Sequence, residues 1–165
     1  MTYERFEDLP VWKDAVQFAT DVFQLTDDKT FRFKGDITNQ LQRAALSISN
    51  NIAEGFERGT TPELLTFLYI ARGSAGESRS ILCVCERLPF FDHLKATISD
   101  LKKRGESISR QLRAWADSLQ NSDIKGQRYL TDQTREKAAQ QKRADEFMQK
   151  LKTMTPHLHH PPSQI

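Results

Sequence analysis

Four histidines and two cysteines are the side chains best suited to chemistry in this 165-residue chain. Their spacing limits what they can do. Cys83 and Cys85 stand two apart in one helical segment, where they cannot build a disulfide framework. Only Cys85 falls on that segment's apolar stripe, and a small buried hydrophobe is its expected role. His157, His159 and His160 crowd the stretch TPHLHHPPSQI, whose three prolines and lack of periodicity predict disorder. Binding a metal there would require ordering that stretch. His93 stands at a helix start with no glutamate three residues before it. The di-metal carboxylate sites of four-helix bundles need paired Glu-x-x-His motifs, so the bundle lacks nitrogen ligands for one. Gly73-Ser74-Ala75-Gly76 lies in mid-helix and not at a strand-to-helix turn, so it is no phosphate loop. No serine–histidine or cysteine–histidine pairing offers a nucleophile. Catalysis, a cofactor and a resident metal are therefore not expected.

A second pattern is better organised. In RAALSISNNIAEGFER, Ile48, Ile52 and Phe56 recur at helical spacing, preceded by Leu41 and Ala45. Arg43, Ser47, Asn50, Asn51 and Glu54 form a hydrogen-bonding stripe beside them. The next helix repeats the theme, with Ser74 and Glu77 interrupting the line Phe67, Ile70 and Ile81. An unpaired buried polar group costs on the order of 1–3 kcal/mol, so such groups either find partners or lie in solvent. Arg43, Arg72 and Arg79 are candidate partners for the glutamates. A solvated helix face is the competing reading.

The elements that must position these stripes are helices throughout. Asp8 is an expected cap for a first helix with Pro10 in its opening turn, carrying Val11, Ala15, Phe18, Val22 and Leu25. Beside that stripe lies another, Trp12, Val16, Ala19 and Phe23, wider than an ordinary amphipathic helix needs. The second helix is expected from about Ile37 to Phe56 with Asp36 as cap, and ERGTTPE closes it and opens the third. Leu64, Leu68, Ala71, Ala75, Ser78, Leu82 and Cys85 are the third helix's seam. After LPFFDH, with Asp92 an expected cap, the fourth carries Leu94, Ile98, Leu101, Gly105, Ile108, Leu112, Trp115 and Leu119. The expected fold is all-α: an antiparallel up-down-up-down four-helix bundle with a C-terminal helical extension. Residues 1–120 form the bundle, 121–154 a linker and basic C-terminal helix, and 155–165 a disordered tail. The extension's thin apolar stripe is Ala144, Phe147, Leu151 and Met154.

Net charge is +2, too small to signal nucleic acid by itself, but residues 119–165 hold eight Lys/Arg against five Asp/Glu. Lys95, Lys102, Lys103, Arg110 and Arg113 project from one outer sector of the fourth helix, diluted by Glu106 and Asp117. With Arg128, Arg135, Lys142 and Arg143 in the extension, they are the candidate nucleic-acid contacts, acting on backbone or RNA shape. No basic n-region with an apolar h-region and no run of roughly 20 apolar residues is present, so the expected location is the cytoplasm, away from membranes.

The stretches FEDLPVWKDA, QLQRAALSISNNIAEGFER and ELLTFLYIARGSAGES occur in that order. Together they resemble the four-helix-bundle family encoded in intervening sequences of large-subunit ribosomal RNA genes, over residues 5 to roughly 118. Asn51–Gly55 match its NIAEG motif, and Gly73, Ser74 and Glu77 match the small-residue motif of helix three. Ser49, Asn50 and Gln42 depart from its pattern, which often has Pro, Ala and Arg there. The resemblance implies a homopentamer without enzymatic activity. A related branch, the accessory variability proteins of diversity-generating retroelements, implies a reverse transcriptase and its structured RNA or DNA as partners. On this resemblance, Arg43, Asn51, Glu54, Ser74 and Glu77 are expected as polar contacts between helices or subunits. The alternative expectation is a protein–protein scaffold that does not bind RNA directly.

Overall fold

A computed structural model describes residues 3–32, 34–121, 140 and 143–150, and the chain divides into two compact units, Met1–Arg128 and Tyr129–Ile165. In the first unit, α1 is Pro10–Thr26, α2 Gly35–Glu57, α3 Thr61–Arg87 and α4 Lys95–Gln120. Short 3₁₀ turns, Phe6–Asp8 and Pro89–Leu94, lead into α1 and α4. Among the described residues there is no strand.

Contacts along the seams give the direction of each helix pair. Gln42 Nε2 donates to Thr26 Oγ1 at 2.7 Å, tying the start of α2 to the end of α1. Ser47 meets Ser74 in mid-helix, while Gly55 near the end of α2 abuts Phe67 near the start of α3. Lys102 reaches Glu86 and Gln120 reaches Tyr69, so α4 runs against α3. Arg104 pairs with Asp21 and Gln111 with Asp14, so α4 also runs against α1. Each neighbouring pair is antiparallel, and α1 closes the square by packing on α4.

The apolar stripes turn inward as their spacing requires. Leu41, Ala45, Ile48, Ile52 and Phe56 are buried, as are Leu64, Leu68, Ala71, Ala75, Ser78, Leu82 and Cys85. Along α4 the predicted seam holds from Ile98 through Leu112; Leu94 falls in the preceding 3₁₀ turn and is only partly covered, and past Leu112 Ala116 takes the buried place while Trp115 and Leu119 are partly covered. A strict heptad drifts around a helix of 3.6 residues per turn, which explains the change. Gly105 is filled from its neighbours: a Cβ there would lie 2.9 Å from Arg79 Cγ and 3.6 Å from the Phe18 ring. Phe31 and Phe91, from two connections, plug one end of the core with ring centroids 4.6 Å apart.

The helix starts differ from expectation in three places. Leu9, Lys34 and Leu94 occupy the N-cap positions, and none of Asp8, Asp36 or Asp92 caps a helix. Asp8 and Asp92 belong to the preceding 3₁₀ turns, and Asp36 already lies in the first turn of α2. The start of α3 does carry a side-chain cap. Thr60 Oγ1 accepts from the Glu63 amide at 3.4 Å and donates to Glu63 Oε2 at 2.5 Å, an N-cap held by the helix's own third residue. Gly59, at φ 78°, makes the left-handed bend before it.

In the second unit, residues 143–150 are helical and exposed, with Phe147 at 63% and Met148 at 54%. The expected linker and tail, and the rest of the expected fifth helix, lie outside the described residues.

Candidate functional site

The hydrogen-bonding stripe of α2 has two fates. Asn51 Nδ2 donates to the Ser47 carbonyl at 2.7 Å and to Ser47 Oγ at 2.9 Å. Ser47 Oγ lies 3.0 Å from Ser74 Oγ, and Ser74 Oγ donates to the Ile70 carbonyl at 3.1 Å. Asn51, Ser47 and Ser74 thus form a ladder across the α2–α3 seam, where the 8%-exposed Ser74 meets its partners. Arg43, Glu54 and Glu77 do not join it. Glu54 pairs with Arg58 at 2.6 Å on the surface, while Arg43 and Glu77 line a shallow groove with Gln40, Ala44 and Ser47.

The basic stripe of α4 is interleaved with acid. Lys95 lies 2.8 Å from Asp92, Lys103 3.4 Å from Asp100, Arg110 2.9 Å from Glu106 and Arg113 3.6 Å from Asp117. Lys102 does not face outward with the rest. It turns to α3 and binds Glu86 at 2.5 Å, which holds the Glu86 carboxyl below the ordinary carboxylate range and raises the Lys102 ammonium. All five predicted α4 contacts therefore sit beside carboxylates, and exposed pairs of this kind are individually weak. Arg143 is exposed on the C-terminal helix. Arg128, Arg135 and Lys142 lie outside the described residues.

Among the described residues no group of three or more His, Cys, Asp or Glu converges on a possible metal position, and no helix is long and apolar enough to cross a membrane. Cys85 is sealed in the core, and burial pushes its thiol up to about 11, away from the reactive thiolate form.

Two further surfaces stand out. On the outer side of α3, Tyr69, Gly73, Gly76, Ser80 and Val84 are exposed along one line, with Ile70 at its edge. A Cβ added at Gly73 or Gly76 would have nothing within 4 Å. Between α1 and α2, Phe6, Trp12, Val16, Phe23, Leu46 and Ala53 line an open groove of about 570 Å³. Phe23 is 45% and Leu46 44% exposed there. The wide apolar face of α1 was legible in sequence as Trp12, Val16, Ala19 and Phe23. The contribution of Leu46 was not, because one leucine among the polar positions of α2 carries no periodic signal.

Against known proteins, residues 7–114 match the profile of the 23S rRNA-intervening sequence protein family. No curated protein matches the chain.

Proposed function

Because the chain belongs to the 23S rRNA-intervening sequence protein family, we propose that it is a non-catalytic bundle that assembles with copies of itself and acts as a scaffold for a partner polypeptide. The outer face of α3 carries this reading. Glycine in a helix interior is about 0.8–1 kcal/mol less favourable than alanine, and nothing inside the protomer requires Gly73 or Gly76. Their lack of side chains makes sense where a second backbone approaches, with Tyr69, Ile70 and Val84 supplying apolar contact. Arg43 and Glu77, which make no salt bridge among the described residues, supply opposite charges on the adjoining α2–α3 groove. The family resemblance implies a ring of five.

Sedimentation at micromolar concentration tests this. The wild-type chain should run as an oligomer. The double variant Gly73→Ala, Gly76→Ala should unfold at higher urea yet sediment as a smaller species. A well-folded wild-type monomer would overturn the proposal.

The alternative is an accessory protein that binds structured RNA or DNA directly, plausibly beside a reverse transcriptase. The excess of three positive charges over residues 119–165 favours it. Phosphate neutralisation makes such binding fall steeply with salt. Retention of structured RNA that weakens with salt, and that is lost on reversing Arg128, Arg135, Lys142 and Arg143, would replace the scaffold reading. The same loss on reversing Lys95, Lys103, Arg110 and Arg113 would place the contact on α4.

A further inference from the structure

We propose that the groove between α1 and α2 receives the outer face of α3 from the next copy of the chain, so that copies join head to tail. Resting on the self-assembly proposed above, this pairing names what meets the α3 face. A closed ring needs two different patches on every copy, one for each neighbour. Pairing the α3 faces with each other would give only a two-fold dimer and leave the groove open.

The two surfaces match in polarity. The groove is an uncharged trough: Phe6, Trp12, Val16, Phe23 and Leu46 form its walls, with Thr20 and Asn50 at its margin. The exposed line of α3, from Tyr69 through Gly73, Gly76 and Ser80 to Val84, is uncharged as well. Pressing the two together strips water from no ionised group, the costliest kind to dehydrate.

They also match in relief. Heights along the bundle follow from the contacts between its antiparallel helices. Counted from the Thr26–Gln42 bond, Phe23 stands level with Ala45, one residue from Leu46. Counted from the Ser47–Ser74 contact, Leu46 stands level with Ala75, beside Gly76, and Arg43 with Ser78, beside Glu77. Counted from Gly55 and Phe67, Ala53 stands level with Tyr69. One residue is about 1.5 Å of rise, so these neighbours share a height. Copies related by a ring axis parallel to the bundle keep such heights. The protruding Phe23 and Leu46 of one copy then meet Gly76 of the next, where α3 has no side chain, as knobs meet a hole. The exposed Tyr69 enters the trough at Ala53, whose small side chain leaves room. Arg43, one turn from Leu46, comes opposite the neighbour's Glu77, and this charge pair fixes which way up the copies sit.

Two single variants of the full chain test this: Leu46→Glu spoils the groove and Gly76→Glu the α3 face, both at exposed positions. In sedimentation each variant alone should fall from the wild-type oligomer to the 19.0 kDa monomer with its helical circular dichroism intact. Mixed at about 100 μM, well above a micromolar dissociation constant, the two should form a one-to-one dimer, since each supplies the face the other has lost. Leu46→Gln and Gly76→Gln take their places if either glutamate variant loses its helical signal. A monomeric wild type would overturn the self-assembly and this pairing with it. If the wild type assembles but Leu46→Glu keeps the wild-type mass, or the mixture stays monomeric, the pairing alone is overturned, and the groove serves some other partner.

Discussion

Close packing at single residues makes the sharpest demands. A Cβ at Gly55 would lie 2.6 Å from Phe67 Cβ and 3.2 Å from Leu64 Cδ1, and the first of these cannot swing aside. Gly55→Ala is therefore expected to destabilise by about 1–3 kcal/mol despite alanine's better helix propensity, measured by urea denaturation. The Lys102–Glu86 pair sets a pH dependence. The Glu86 carboxyl is held below its usual 4.5, so its contribution exists above that value and is lost as pH falls through the depressed one. The Lys102 ammonium is raised above 10.5, so its contribution is complete below that value and is lost at still higher pH. The stability gap between wild type and Lys102→Met should stay level through neutral pH and close at both extremes, followed by thermal melts across pH. Asn51 and Ser74, expected as interhelix contacts on the family resemblance, both bond Ser47 at the α2–α3 seam. Sequence spacing gave no sign of the Lys102–Glu86 pairing, because residues 16 apart on antiparallel helices become neighbours only once the hairpin register exists.

At the scale of elements, the helices were legible because their apolar spacings are long and consistent. Their starts were less so. Asp8, Asp36 and Asp92 are good caps by type, but 3₁₀ turns and an early first turn of α2 moved the helix starts away from them. The start of α3 was read from ERGTTPE without its cap, although Thr60 and its partner Glu63 lie within the same four residues. The seam of α2 and α3 depends on the Ser47–Ser74 contact, and a double-mutant cycle of Ser47→Ala and Ser74→Ala should show coupling of about 0.5–1.5 kcal/mol. Additivity would mean that the two hydroxyls act independently. Of the basic residues expected on the outer sector of α4, Lys102 turns instead toward α3, and the neutralisation of the set was only half visible. Glu106 and Asp117 share its face in sequence, whereas Glu86 arrives from another helix.

For the whole molecule, the all-α fold followed from four amphipathic segments joined by short connections, while the surfaces left open did not. The Phe31–Phe91 plug joins two connections that have no periodicity to read, and the α1–α2 groove exists only when two helices have docked. The seams also differ in how far apart in the chain their partners lie. Ser47 and Ser74 are 27 residues apart across a three-residue bend, whereas Asp21 and Arg104 are separated by 83 and Asp14 and Gln111 by 97. Closing the shorter loop loses less chain entropy, so the α2–α3 hairpin should nucleate folding and α1 should join α4 after the rate-limiting barrier. In chevron plots, Leu64→Ala should slow refolding, while Phe18→Leu, on the late seam, should mainly quicken unfolding. The first helix is thus the natural point of departure when the molecule opens, and brief escapes of α1 would bare the interior long before the central hairpin comes apart.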